Sequence, residues 1–401
     1  MKQGFLSQYF DGIAAKRLSA VEVDSIVSHQ HEMNGIVEMK KIFGEEKNKF
    51  PATFIYLNDI EDSVIEKEVF LTWYDARENH KTRTEYRLYF PSNLVTERFE
   101  VGDLIILGRR SDNSVMLICA KQGSTIENQL IWLFGLSVFG GSFEIKEVLK
   151  NDTQLNFASK KIIEDLGIDI KETADNLLEE MLNRFKGVFP ETKIFSDYAR
   201  NTYGEVDLSV DPDKILLAWI EHEEKLFRTL ENHIVSNRLR QGFGKNNDNV
   251  DEFVSFSLSV QNRRKSRMGH ALENHIEFIF NEFKIPHSKG RITENKKKPD
   301  FIFPDIKNYN DPKFPTKKLI MLASKSTCKD RWRQVLSEAD RIKSKHLLTL
   351  EPGITIDQTN EMRTSKLQLV IPKEIHVTYS AVQQKWLMDF KGFIDFVRKT
   401  V

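Results

Sequence analysis

The part of this chain that most restricts how it can fold is residues 296–338. It opens with a basic run that closes in a turn, Lys296-Lys297-Lys298-Pro299-Asp300, and passes directly into an apolar strand, Phe301-Ile302-Phe303. After a polar excursion a second apolar strand, Leu319-Ile320-Met321-Leu322-Ala323, ends in Ser324-Lys325. Strand side chains alternate between faces, so Leu319, Met321, Ala323 and Lys325 share one side and Ile320, Leu322 and Ser324 the other. Lys325 therefore extends an apolar row. Two readings are open for it: the ammonium snorkels to solvent, or an acid awaits it. Asp300 alone is equally compatible with an ordinary Pro-Asp turn.

The next segment spaces Trp332, Val335, Leu336, Ala339 and Ile342 as one face of a helix, with Ser326 or Thr327 placed to cap its first turn. Glu338 falls at the margin of that stripe, where a carboxylate without a cation is costly. It either reaches water or faces a positive charge. Lys329, Asp330 and Arg331 are presented at the helix start. Arginine can bond guanine bidentately and aspartate can accept from cytosine.

Three segments carry a resemblance: SVQNRRKSRMGHALE (259–273), NKKKPDFIFP (295–304) and LASKSTCKDRWRQVLSEADRI (322–342). They are similar to the catalytic domain of the EcoRII-type restriction endonucleases, PD-(D/E)xK nucleases whose SsoII- and PspGI-type relatives cut at CC…GG sites. The resemblance implies an α/β restriction-endonuclease-like C-terminal domain and Mg²⁺-dependent hydrolysis of phosphodiester bonds in double-stranded DNA. In the family pattern Asp300, Lys325 and Glu338 match the catalytic acid, the lysine and a displaced glutamate, and Glu273 matches a further acid on the preceding helix. The carboxylates of Asp300, Glu338 and Glu273 would hold Mg²⁺, which lowers the pKa of a bound water, while Lys325 would position or activate that water. Lys329, Asp330 and Arg331 match the element that reads C·G pairs. A short palindromic, CCWGG-like target is most simply read by a homodimer. A cognate DNA methyltransferase would act on the same site without having to bind this chain.

The rest of the second half supports such a domain. Asp211-Pro212-Asp213 signals a helix start, and apolar positions 215, 216, 219, 220, 226, 227, 230 and 234 follow. Here the sequence departs from the family, with Trp219-Ile220-Glu221 in place of an arginine-rich run tied to the central base pair. Trp219 beside Ile215, Leu216 and Ile220 reads as core by about three to one over a stacking platform for an extruded base. Arg263, Arg264, Lys265 and Arg267 form a dense basic patch ahead of an amphipathic helix, which reads as a phosphate clamp. Glu273 and Glu277 lie one turn apart on that helix, and only the resemblance selects Glu273. Strands follow at 346–350 and 367–371, and a closing helix at about 381–399 offers Trp386, Leu387, Phe390, Phe393, Ile394 and Phe396 for docking or dimerisation.

The first 150 residues differ in character. Short alternating runs at 52–57, 69–74, 86–90, 104–107 and 115–119, with a hairpin loop at 108–114, favour a small barrel or sandwich. The run 131–136 is a further strand or a short buried helix. Within this region Lys81, Arg83, Glu85 and Arg87 fall on one strand face. Charges there suit a solvated edge strand that resists aggregation. The order K-T-R-x-E-x-R, with His29 upstream, also resembles the amino-terminal effector domain of the same family, a mainly-β DNA-binding pseudobarrel that takes a second copy of the target site. That resemblance implies DNA contacts from Lys81, Arg83, Glu85, Arg87 and His29. The expected division is an effector domain at 1–175, a linker at 176–190 with an amphipathic stripe of its own, and a catalytic domain at 191–401.

Composition narrows the alternatives. The 401 residues allow two to three domains, and 59 Lys plus Arg against 59 Asp plus Glu give no net charge. The distribution is uneven: residues 237–299 hold thirteen Lys and Arg against seven Asp and Glu, enough for local attraction to a polyanion. Cys119 and Cys328 are too isolated for a disulfide framework. No apolar run approaches the roughly 20 residues of a membrane span, and Met1-Lys2-Gln3 opens no signal peptide, so a cytoplasmic protein is expected. A DNA-binding regulator with a degenerate nuclease centre is the competing reading, and a structure-specific or RNA nuclease the third. The retained Asp300, Lys325 and Glu338 weigh against the former, and Lys329-Asp330-Arg331 against the latter.

Overall fold

The computed structural model describes residues 6, 9–23, 32–59, 64–80, 82–136, 142–147, 155–168, 174–328 and 331–401. Two compact units divide the chain: Met1–Asp169 with Gly353–Thr355, and Ile170–Pro352 with Ile356–Val401.

The first unit is mainly β. Its eight strands are β1 (Gly12–Arg17), β2 (Glu32–Asn34), β3 (Asn48–Leu57), β4 (Ile65–Asp75), β5 (Tyr86–Tyr89), β6 (Leu104–Arg109), β7 (Val115–Ala120) and β8 (Glu144–Glu147). They form one sheet in the order β2-β5-β4-β3-β7-β6-β1-β8. Neighbours are antiparallel except β3 and β7, whose parallel pairing curls the sheet into a pseudobarrel. Alternate residues of the central strands, Phe54, Ile105, Leu107, Val115 and Leu117, meet Phe43, Phe50 and Trp73 in one core. The other face of β6 and β7 is buried as well, which is why both read as continuous apolar runs. The hairpin between them closes as the sequence suggests, with Arg110 N donating to Ser114 O and Asn113 at φ 67°. The ambiguous run at 131–136 falls mostly in a helix, α1 (Thr125–Phe134). Ser124 caps it, and Gly135 ends it in the left-handed region, where a side chain would be strained.

The second unit is α/β. A five-stranded sheet runs β13-β12-β11-β10-β9, from β9 (Ser288–Lys289), β10 (Phe301–Phe303), β11 (Ile320–Lys325), β12 (Lys345–Thr349) and β13 (Leu367–Val370). β9, β10 and β11 are antiparallel, and β11, β12 and β13 parallel. Parallel strands need covering on both faces, and β10, β11 and β12 are accordingly buried except at Lys325, although β12 carries the polar Lys345, His346 and Thr349. Its helices include α2 (Leu178–Phe185), α3 (Thr192–Tyr203), α4 (Pro212–Gln241), α5 (Val250–Glu282), α6 (Trp332–Val335) and α7 (Phe390–Thr400). Pro212 stands in the first turn of α4, and Asp211 caps it.

Several expectations change here. The segment at 176–190 is no free connection. Met181 and Phe185 of α2 bury against Phe195, Tyr198, Leu226 and Phe227 of the second unit. The basic patch does not precede a helix but lies inside the 33-residue α5. The closing helix is split, because Met388 bridges Val370 in extended form and Asp389 then caps α7. Phe390 and Phe393 of α7 pack on Phe280 and Phe303, so its apolar face serves the domain's own core. The helix expected after Lys325 shrinks to the single turn α6. Beyond it the carbonyls of Glu338, Ala339 and Ile342 accept from the Lys345 ammonium instead of from amides of a continuing helix.

Candidate active site

The site is built where β10 and β11 pair. Asp300 immediately precedes β10, and Phe301 is in register with Leu322, which brings Asp300 beside the end of β11. Its Oδ2 accepts from Ser324 N at 2.7 Å and Ser324 Oγ at 3.3 Å, and Lys325 Nζ lies 3.5 Å away. The acid and the lysine thus meet on one edge of the sheet. Ser324 is a partner that side-chain alternation assigns to the opposite face. Its main-chain amide makes the shorter bond, and no side-chain pattern can reveal that.

Two glutamates approach from elsewhere. Glu338 lies in the turn after α6 rather than on a helix, half-buried, and its Oε2 is shut off from water with no hydrogen-bond partner among the described residues. Desolvation, reinforced by the charge of Asp300, pushes its pKa up to about 7. Glu273, on α5, is raised by the same two causes in the same order, with Lys289, His270 and Lys325 opposing. Glu277 turns to Lys289 at 3.1 Å, and Asn274 shares that ammonium, which separates the roles of the two α5 glutamates. Asp300 is therefore near enough to both glutamates to raise their proton affinity, and the lysines and histidine around them do not cancel the effect. Hard carboxylate oxygens, one of them orphaned, form a donor set that fits Mg²⁺. Among the described residues no three acidic, histidine or cysteine side chains are already drawn together as around a bound ion.

The structure describes part of the proposed DNA-binding set. Lys329 and Asp330 lie outside the described residues, while Arg331 is exposed at the start of α6. On α5, Arg264 binds Glu231 at 2.7 Å, and the buried Arg267 lies 3.5 Å from Glu223 and also pairs with Glu224. Both arginines are thus paired within the chain. Positions 264, 267 and 275 recur at helical spacing and meet acids of α4, with Arg267 and His275 buried and Arg264 partly exposed. Arg263 is exposed with its guanidinium over the Phe189 ring, and Lys265 is part of the same helix. Trp219 is buried against His275 and Phe278, as a core residue and not a stacking platform.

In the first unit Arg87 is the one described residue of the predicted charged row that belongs to a strand. Glu85 N donates to Asp75 Oδ1, so regular pairing starts at Tyr86 and Arg83 is left in the preceding loop. Arg87 pairs with Glu32 at 2.8 Å and Glu85 at 2.5 Å, and Arg77 reaches Glu85 from the other side. Arg87, then Arg77, hold the Glu85 carboxyl below its ordinary range. Lys81 and His29 lie outside the described residues.

A family model described as EcoRII C terminal matches residues 227–394, a span containing every residue of this site. Over 391 residues the chain is 34% identical to the type II restriction enzyme EcoRII of Escherichia coli, covering 94% of this chain and 92% of that enzyme. The chain belongs to the EcoRII family of type II restriction enzymes. It is accordingly a type II restriction endodeoxyribonuclease, and its second unit has the restriction-endonuclease-like α/β fold. Among solved structures, metal-depleted Ecl18kI in complex with uncleaved DNA is similar at 15% identity, with TM-score 0.46 over 57% of this chain and 84% of that one. The N-terminal domain of Helicobacter pylori LlaJI.R1 is similar at 9% identity, with TM-score 0.23 over 34% of this chain and 97% of that one. Both likenesses are remote. No described helix is long and apolar enough to cross a membrane.

Proposed function

We propose that this enzyme hydrolyses double-stranded DNA at a short palindromic CC…GG-type site with Mg²⁺ held by Asp300, Glu338 and Glu273. The observation that carries this reading is the meeting of Asp300 and Lys325 at the end of β11, beside a Glu338 whose Oε2 has no partner. A bound Mg²⁺ would supply charge neutralisation at the phosphate and an acidified water. The protein's own part is positional. Ser324 donates to Oδ2 of Asp300, and Oδ1 would be the oxygen offered to the metal. Lys325, tethered to Asp300, holds its ammonium where it can orient a nucleophilic water against the phosphorus and balance charge developing on the phosphate. Arg331, with Asp330 and Lys329, would read C·G pairs from the start of α6, and Arg263 and Lys265 would remain as phosphate contacts.

The first unit is proposed to bind a second copy of the site through Arg83, Glu85, Arg87, Lys81 and His29, and the enzyme to act as a homodimer. The mutual pairing of Glu32, Glu85 and Arg87 supports a preorganised hydrogen-bonding face there. Incubation with plasmids carrying one or two CCWGG sites, with and without Mg²⁺, tests the whole reading. Discrete fragments only with Mg²⁺, and faster cutting of the two-site plasmid, are expected. Random nicking, or binding without cleavage, would overturn it.

A further inference from the structure

The turn that delivers Glu338 is held by its main chain. The Glu338 carboxylate makes no described hydrogen bond at Oε2, so its position follows from where the backbone of residues 338–342 is fixed. That backbone is not in a comfortable conformation: Ala339 has φ 49°, in the left-handed region an alanine avoids. Two cations hold it there. Lys345, buried at the start of β12, donates to Glu338 O at 2.5 Å, Ile342 O at 2.8 Å and Ala339 O at 3.2 Å. Arg341, inside the turn, reaches outward to Tyr309 O, to Asp311 O at 3.0 Å and to Phe314 O at 3.1 Å. It thereby ties the turn to the connection between β10 and β11. Tyr309 is in turn fixed by its hydroxyl, which donates to Glu294 at 2.5 Å. β10 follows Asp300 and β11 ends in Lys325, so the Arg341 clamp fastens the Glu338 turn to the same pair of strands that carries the other two groups.

We propose that Lys345 and Arg341 are positioning residues for the cleavage reaction: together they set the Glu338 carboxylate at the distance from Asp300 at which both can hold one divalent cation. The proposal rests on the reading of Glu338 as a metal ligand. A buried ammonium with three carbonyl acceptors is satisfied as a hydrogen-bond donor, and the acids that act on its charge are Asp340, Glu338 and Glu294. An apolar side chain of similar length would leave those three carbonyls without their donor. The charge is spent on carbonyls of the one turn that presents an acid to the site.

The test uses the full-length protein as Lys345→Met, Lys345→Arg, Arg341→Met and, as comparator, Glu338→Gln. Each is assayed for Mg²⁺ dependence of cleavage, for Mn²⁺ affinity by calorimetry on the DNA complex, and for specific DNA binding without metal. Lys345→Met should raise the half-saturating Mg²⁺ and weaken Mn²⁺ binding about tenfold, with metal-free DNA binding unchanged, and Lys345→Arg should recover part of the loss. Arg341→Met should shift both in the same direction by about threefold. Unchanged Mn²⁺ affinity in Lys345→Met, where Glu338→Gln weakens it, would overturn the proposal while leaving the role of Glu338 standing. If Glu338→Gln leaves cleavage and Mn²⁺ affinity intact, the metal-ligand reading itself fails. Should Lys345→Met not fold, the half-buried Arg341→Met decides: normal Mn²⁺ affinity in it overturns the clamp.

Discussion

Glu223 and Glu338 are both carboxylates withdrawn from water in the second unit, and their surroundings differ in sign. Glu223 is fully buried between α4 and α5, with Arg267 3.5 Å from one oxygen and His275 3.0 Å from the other. Its neighbour Glu231 is likewise met by Arg264. The strongest charge acting on Glu338 is another acid, Asp300, opposed by Lys325, Lys345 and Lys297, and its Oε2, like Glu223 Oε2, has no hydrogen-bond partner among the described residues. The helix stack sets an arginine or histidine against each of these acids, whereas at the sheet edge Lys325 meets Asp300 and Glu338 has no ion pair among the described residues. A buried charge that the fold does not compensate is kept for something that arrives later.

Mutations can break this contrast. Glu223→Ala should cost the most stability, roughly 3–5 kcal/mol, because Arg267 and His275 lose their partner in a dry interface. Chemical denaturation measures it, and a loss below about 1 kcal/mol would mean the helix stack is not held by charge. Lys325→Ala should leave the unfolding midpoint and specific DNA binding nearly unchanged, yet lower cleavage by on the order of 10²–10³-fold. A gel shift beside a cleavage assay decides it, and near-normal turnover would remove Lys325 from the mechanism. Arg331→Ala belongs to neither group and should weaken specific binding by about 1–3 kcal/mol while sparing random duplex. Equal weakening on both would reduce Arg331 to a phosphate contact.

The smallest effect has the opposite sign. Glu338→Gln should abolish cleavage and yet stabilise the metal-free protein by about 1 kcal/mol at neutral pH, after allowance for solvent screening. Folding raises this acid's pKa from an ordinary 4.5 to about 7, so its ionised form disfavours the folded state. The penalty is absent below about pH 4.5, grows as pH rises to 7, and stays constant above. Thermal melts of mutant and wild type should therefore coincide in acid and separate by a few degrees at pH 7.5. Parallel curves across the range would refute the account of Glu338.

Much of the site was legible because strands expose their logic in sequence. Asp300 before an apolar triplet and Lys325 after an apolar run could only converge if the two strands paired, and they do. Trp219 was legible as core for the same reason, from its apolar neighbours at helical spacing. The charged helix positions were not. Arg264 and Arg267 look like a surface patch in a linear run, and only the partner helix, 33 and 44 residues earlier, reveals acids waiting for them. The truncation of α6 was hidden likewise, since Trp332, Val335, Leu336 and Ala339 keep helical spacing through a segment whose carbonyls a remote lysine takes over. The charged row of the first unit failed because alternation presumes a strand, and Asp75 holds Glu85 back from joining one.

The clamp on the Glu338 turn touches only carbonyl oxygens, and every amino acid has one. The hydrogen bonds of Lys345 and Arg341 therefore do not depend on which side chain stands at the exposed position 340, whereas Ala339 and Ile342 are held by burial as well. A search keyed to an acid at a fixed offset along a strand would pass over such a site. One that asks for a strand-opening lysine several residues downstream of the acid would find it.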